Sequence, residues 1–293
     1  ERGAVTAQRD ASEVPSGDPQ PLTGVRVVST ALNLPGPIAA ARFVGLGAEV
    51  TKVEPPGGDP LATVAPEWYS SLKAGQHLEV LDLKADGRRQ RVEELLARAD
   101  LLLTSSRPSA LARLGLSWQQ LAERHPRLCQ VAIVGESAPR AERAGHDLTY
   151  QARAGTLQPP AMPTLPVADL AGAERAVAEG LAALLQQART GRGCYREVAL
   201  AGVIDELAES VRQGVTGTRE GVLGGGLPAY RLYRAADGWV ALAALEPHFR
   251  RRLHELLGAN DDVEELRRVF LTRSAQEWER WADEHDLPLA AVR

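Results

Sequence analysis

The sequence predicts an α/β protein: a doubly wound layer of strands and helices, followed by a smaller α+β unit. Three observations predict it. Short apolar runs rich in β-branched residues alternate with helical stretches over the first 135 residues, the pattern of repeated βαβ units on a parallel sheet. Glycine and proline punctuate those runs, most firmly at Pro55-Pro56-Gly57-Gly58. Beyond a glycine-rich break the pattern changes to a hairpin signal and three helical segments. With 293 residues, 44% hydrophobic and 25% charged, the chain has the size and composition of one large or two ordinary globular domains.

Residues 1 to 20 are polar and aperiodic, the signature of a disordered or loosely docked tail. Val25 to Ser29 is a buried strand, and Ile38 to Leu46 an Ala-rich helix with Gly47 at its C-cap. Val50 to Val53 is the next strand, so the three elements form one βαβ unit. Trp68 to Ala74 is helical or irregular, Leu78 to Leu83 alternates like a strand, and Asp86 to Ala99 is a helix with a charged outer face. Leu101 to Thr104 is a buried strand, Pro108 starts a helix as an N1 proline, and Ser117 caps another. Leu128 to Val134 is a strand ending at Gly135. Residues 170 to 188 form a long Ala/Leu helix, Tyr195 to Leu200 a last strand and Val203 to Gln213 a helix. Ala229 to Arg234 and Trp239 to Leu245 flank an Asp237-Gly238 turn, a strong hairpin signal. In open sheets of this kind, sites lie at the carboxyl ends of the strands.

Several function classes are disfavoured. The net charge is −4, and Arg250-Arg251-Arg252 reads as a solvated helix face, so no nucleic-acid partner is expected. Cys129 and Cys194 belong to no CxxC or Cys/His cluster, so neither a disulfide framework nor a metal site is expected. Two such cysteines suit a reducing cytoplasm. No apolar run reaches the roughly 18 residues of a membrane span, and no signal peptide is recognisable. The chain starts at Glu1, with Met162 its one methionine, which reads as a trimmed product or a fragment. Neither a dinucleotide fingerprint, a Walker loop nor a G-x-S-x-G elbow is present. The nearest glycine pair, Gly45-Leu46-Gly47, ends a helix where a phosphate site needs a helix start.

The stretch from Gly145 to Asp169 carries an imidazole and a carboxylate, each where a loop meets a regular element. Read alone, His146 is as well explained as a structural histidine, and Asp147 and Asp169 as N-caps. Glu246, followed by Pro247, reads as a strand terminus. The chemical reading of Asp169 is a carboxylate kept ionised at the positive end of a helix and able to attack an acyl carbon.

Several stretches, in order, resemble the family III CoA-transferases, which include formyl-CoA transferase, the carnitine CoA-transferases and the α-methylacyl-CoA racemases. They are P-L-T-G-V-R-V-V at 21–28, L-G-A-E-V-T-K-V-E-P-P-G-G-D-P at 46–60, L-D-L-K at 81–84 and S-R-P-S-A-L-A-R-L-G-L at 106–116. G-H-D-L-T-Y-Q-A at 145–152, A-D-L-A-G-A at 168–173, R-T-G-R-G at 189–193 and Y-R-L-Y-R-A-A-D-G-W-V at 230–240 complete the set. The resemblance implies a Rossmann-like large domain at 21–202, a helix and Gly-rich linker at 203–226 and a small α+β domain at 227–293. It also implies an interlocked homodimer.

By the same resemblance Asp169 is the catalytic aspartate that takes the acyl group as a mixed anhydride, and Gly224-Gly225-Gly226 is the mobile loop over it. Under racemase chemistry Asp169 and His146 stand on opposite faces of the acyl α-carbon, with Glu246 orienting His146. Amides at the helix N-terminus near Asp169 would stabilise the enolate oxygen. Arg107 matches an arginine that holds CoA phosphates. Lys73 opens Lys73-Ala74-Gly75-Gln76, which stands where the family carries an N-R-G-K-like loop, so two cationic CoA contacts are lost and Lys73 compensates in part. The expected function is acyl-CoA:carboxylate CoA transfer, with a CoA thioester as substrate, a carboxylic acid as acceptor and no tightly bound cofactor. The alternatives are racemisation of a 2-methylacyl-CoA by His146 and Asp169, and a non-catalytic acyl-CoA binder.

Overall fold

A computed structural model describes residues 19–83, 85 and 89–293, with Arg89 described by its backbone alone. The expected tail as far as residue 18, Lys84 of the L-D-L-K stretch, and residues 86–88 at the head of an expected helix lie outside the described residues. The chain divides into two compact units. The first holds residues up to Tyr150 together with Thr164–Ile204; the second holds Gln151–Pro163 and Asp205–Arg293.

The first unit runs β1 (Arg26–Ser29), α1 (Pro35–Gly45), β2 (Glu49–Glu54), α2 (Pro60–Val64), α3 (Pro66–Leu72), β3 (His77–Val80), α4 (Arg89–Leu96), β4 (Leu101–Thr104), α5 (Pro108–Leu114), α6 (Trp118–Arg124) and β5 (Cys129–Val134). It continues with the first turn of α7 (Asp147–Ala154), which passes into the second unit at Gln151, then α8 (Val167–Thr190), β6 (Tyr195–Ala199) and the start of α9 (Leu200–Leu207), which passes into the second unit at Asp205. The six strands pair in parallel in the order β3-β2-β1-β4-β5-β6. Val27 faces Val50 of β2 on one side and Leu101 of β4 on the other. The order reverses between β1 and β4, and a crevice opens beyond the carboxyl ends there. This is the Rossmann-like sheet the resemblance implied.

The strands form because their sequences suit burial on both faces. Every residue of β4 and β5 is buried, which explains why those runs do not alternate. The punctuation also holds. Gly47 takes φ 95 beyond α1, Pro108 occupies the first position of α5, and Gly115 ends α5 in the left-handed region. Helix α8 lies close to α1: a Cβ on Gly180 would come within 2.6 Å of Phe43 Cζ, so only glycine permits that approach.

The second unit runs α10 (Glu209–Arg212), β7 (Tyr230–Arg234), β8 (Trp239–Ala243), α11 (Pro247–Leu257), α12 (Val263–Phe270), α13 (Ala275–Glu284) and β9 (Leu289–Ala291). Its sheet is antiparallel, in the order β7-β8-β9. The expected hairpin is present. Its core stacks Tyr233 on Phe270 at 4.9 Å and Phe270 against Trp278 at 5.1 Å between centroids. The indole of Trp278 donates to the Phe270 carbonyl at 2.8 Å, so this large ring is buried with its polar atom satisfied.

Several element bounds differ from expectation: α1 starts at Pro35 rather than Ile38, and β3 ends at Val80 rather than Leu83. The helix expected over Val203–Gln213 starts at Leu200 and breaks at Ala208 into α9 and α10. The long helix starts at Val167, three residues before residue 170. The strand β9 has no counterpart in the sequence reading, because Leu-Ala-Ala carries no β-branched or alternating signal and pairs only through a distant partner, β8.

Candidate active site

Asp169 sits at the third position of α8, whose N-cap is Pro166 and has no capping side chain. It is therefore not the N-cap that a local reading allowed. The cap comes from elsewhere. Asp147 Oδ1 accepts from the Ala168 amide at 2.7 Å and from the Asp169 amide at 3.2 Å. These are the second and third amides of the helix, the ones that a capping side chain normally satisfies. The Val167 amide donates to the Leu165 carbonyl at 3.0 Å and the Leu170 amide to the Pro166 carbonyl at 3.0 Å. The expectation that helix amides beside Asp169 stabilise an enolate oxygen is thus corrected: those donors are already engaged.

Asp147 opens α7, directly after His146. The His146 carbonyl accepts from the Thr149 amide at 2.8 Å, the Thr149 hydroxyl at 2.8 Å and the Tyr150 amide at 3.2 Å. Its own amide donates to Thr149 Oγ1 at 3.1 Å. The backbone of His146 is therefore fixed while its ring is exposed. Tyr150 is 3% exposed, and its ring wedges against both ends of the loop before His146. A Cβ on Gly145 would lie 2.5 Å from Tyr150 Cε1, and one on Gly135 would collide with the phenol oxygen. Both positions must be glycine for the ring to fit.

The electrostatics follow from this packing. Burial raises the Asp169 carboxyl, the Asp147 carboxylate beside it raises it further, and His146 opposes them, leaving it at about 6. Asp169 is thus ionised at neutral pH, but it is more basic than an ordinary aspartate rather than held down by the helix end.

A second feature lies at the carboxyl ends of the strands. A cavity of about 150 Å³ is walled by Thr30 and Leu32 after β1, Glu54 at the end of β2, Leu81 and Asp82 after β3, and Ser106 after β4. The loop after β1 is held on both sides. The Leu32 amide donates to Ser105 Oγ at 2.9 Å and the Asn33 amide to Asp59 Oδ1 at 3.1 Å. Asp59 also caps α2 through the Leu61 amide at 3.0 Å. Lys52, 1% exposed, sets its ammonium 2.6 Å from Asp59 Oδ2 and 3.3 Å from Glu54 Oε1. The Tyr69 hydroxyl donates to Glu54. This buried group was missed as chemistry, although V-T-K-V-E offered a signal: a lysine within a β-branched run in a buried strand must find a buried partner.

The other expected site residues fall as follows. Arg107 is exposed at the N-cap of α5, next to Ser106 of the cavity wall. Lys73 is exposed after α3, with its ammonium 5.6 Å from the Tyr69 ring centre. Glu246 is exposed at the N-cap of α11 in the second unit and makes no capping bond there. Gly224, Gly225 and Gly226 lie in a tight turn, Val222–Gly226, of the same unit. A Cβ on Gly224 would collide with the Thr218 carbonyl, and Gly225 takes φ 101. Among the described residues no His, Cys, Asp and Glu group is arranged to hold a metal ion, and no helix is long and apolar enough to cross a membrane.

Comparison with known proteins comes to the same place. The model of CoA-transferase family III matches residues 22–293. The chain is 30% identical to a Mycobacterium tuberculosis protein named "Probable fatty acyl-CoA transferase Rv3272", over 87% of this chain and 73% of the relative. A crystal structure of Rv3272 superimposes with a TM-score of 0.81 at 27% identity, covering 94% of this chain and 84% of that one. The chain is also 32% identical to succinyl-CoA:(R)-benzylsuccinate CoA-transferase subunit BbsE of Thauera aromatica, over 72% of this chain and 57% of the relative. It is 30% identical to human alpha-methylacyl-CoA racemase, over 88% of this chain and 74% of the relative. The chain thus spans between 57% and 74% of the length of these curated relatives.

Proposed function

The chain belongs to CoA-transferase family III, and from that premise we propose that it moves CoA from an acyl-CoA to a carboxylic acid, with Asp169 as the acyl acceptor. The observation that carries this reading is Asp169 itself: a half-buried carboxylate at a helix start, titrating at about 6 beside a second carboxylate and a histidine. Such a group is ionised at neutral pH, yet basic enough to be a competent nucleophile. An oxygen of Asp169 bonds to the thioester carbonyl carbon. The C–S bond breaks and its electron pair leaves on the CoA thiolate, giving a mixed anhydride. The acceptor carboxylate then bonds to the Asp169 carbonyl carbon as the donor acid leaves as its carboxylate, and the thiolate attacks the acceptor's carbonyl carbon, breaking its bond to the bridging oxygen, to yield the new thioester and free the Asp169 carboxylate.

In this reading the cavity beyond β1 and β4 takes part of the CoA, as ligand sites at such switch points do. Arg107 and Lys73 supply positive charge for its phosphates. The working form is a homodimer. The test is a panel of mono- and dicarboxylic acids offered with succinyl-CoA, read by mass spectrometry of the thioester products. Transfer that Asp169→Ala abolishes and His146→Ala only weakens supports the reading. Equal and complete loss in both overturns the simple nucleophile account.

A second reading, 2-methylacyl-CoA racemisation, is favoured by one observation: the charge of His146 acts on the Asp169 carboxyl and lowers it. There one of His146 and Asp169 removes the α-proton and the other returns it. Deuterium entering the α-carbon of a 2-methylacyl-CoA in heavy water, lost in His146→Ala, would move this reading ahead of transfer.

A further inference from the structure

We propose that Asp147 is a positioning residue for Asp169: its carboxylate caps the helix that carries Asp169 and places a second negative charge beside it. The geometry is that of an N-cap supplied from another element. Helix α8 has proline at its own N-cap, which offers no side-chain acceptor. Asp147, 21 and 22 residues upstream, accepts the Ala168 and Asp169 amides on one oxygen. Asp147 is 8% exposed and follows His146 directly, and the His146 backbone is held by Thr149 and Tyr150. One short turn therefore ties His146 to the helix bearing Asp169.

Capping alone does not require a charge, since asparagine and serine cap about as well as aspartate. What the carboxylate adds is electrostatic. Among the described residues, the charged groups that act on Asp169 are Asp147 and His146; the first disfavours its ionisation and the second favours it. Asp147 thereby keeps Asp169 more basic than burial alone would, which strengthens it as a nucleophile or as a base.

The inference rests on the reading that Asp169 reacts, and the experiment separates the two. Aspartate labelled with ¹³C at its carboxyl is incorporated into the full chain. The Asp169 resonance is assigned by its loss in Asp169→Asn and titrated in the wild type, Asp147→Asn and Asp147→Ser. Both Asp147 variants keep a neutral cap, so failure of one to fold leaves the other. The Asp169 midpoint is expected to fall from about 6, by roughly half a unit to one unit. The acid limb of the rate profile is expected to fall with it, at unchanged KM. An unmoved midpoint overturns the role of Asp147, whatever the activity. A lowered midpoint together with a fully active Asp169→Ala keeps that role and overturns the reading of Asp169 as the reacting group.

Discussion

Asp169 titrates at about 6 in the folded chain against 3.8 for an ordinary aspartate. Its folded value lies above its unfolded one, so holding it ionised costs stability above pH 6, and that cost fades as pH falls from 6 toward 4. Asp169→Asn is therefore expected to raise the melting temperature at pH 8, by the equivalent of about 3 kcal/mol, and to change little at pH 4. A scan at both values checks this. Gly145→Ala makes the opposite case. The new methyl would meet the Tyr150 ring, so His146 must shift and activity should drop at least tenfold. Tyr150→Phe in the same assay should cost far less, because the ring that fills the space remains. His146 and Asp169 drew notice in the sequence because each stands where a loop meets a regular element, but only the family resemblance gave them a chemical role. Asp147 was legible only as a cap: which helix it caps depends on a contact across 21 residues, and local pattern cannot show that.

At the scale of elements, the loop after β1 and the start of α2 are clamped by one buried aspartate, and Lys52 neutralises it. Lys52→Met would leave the Asp59 and Glu54 carboxylates buried without their cation, a loss of about 3–5 kcal/mol. The urea midpoint should fall accordingly, and Lys52→Arg should not restore it, because the wider guanidinium does not fit a space closed around an ammonium. Element types were mostly readable here. The strands β1, β4 and β5 announce themselves as apolar runs, and Pro108 and Ser117 mark helix starts. The start of α8 was misplaced because Asp169 looked like a local cap while the real cap lies in another segment. The break at Ala208 between α9 and α10 carries no glycine or proline to betray it.

For the whole molecule, the doubly wound parallel layer followed from the alternation of elements and the right-handed crossover rule, whereas the strand order β3-β2-β1-β4-β5-β6 rests on pairings between distant segments. What alternation could not supply was the second unit's third strand, nor that Gln151–Pro163 packs with that unit. The outer strand β3 exposes Leu78 and Val80, and an unpaired apolar edge invites a partner. Sedimentation velocity is expected to return twice the chain mass, consistent with the homodimer proposed above. Val80→Glu should shift the population toward the single chain if that edge lies within the interface.

The burial of Lys52 gives the protein an internal clock for unfolding. The sequence contains three lysines, Lys52, Lys73 and Lys84. The amine of Lys52 is sealed by its two carboxylates and the Tyr69 ring. An acylating reagent would mark exposed Lys73 within minutes but could reach Lys52 only when the first unit opens. The ratio of label at these two sites, followed by peptide mass spectrometry in native buffer, would then count opening events directly, with no denaturant and no knowledge of the substrate.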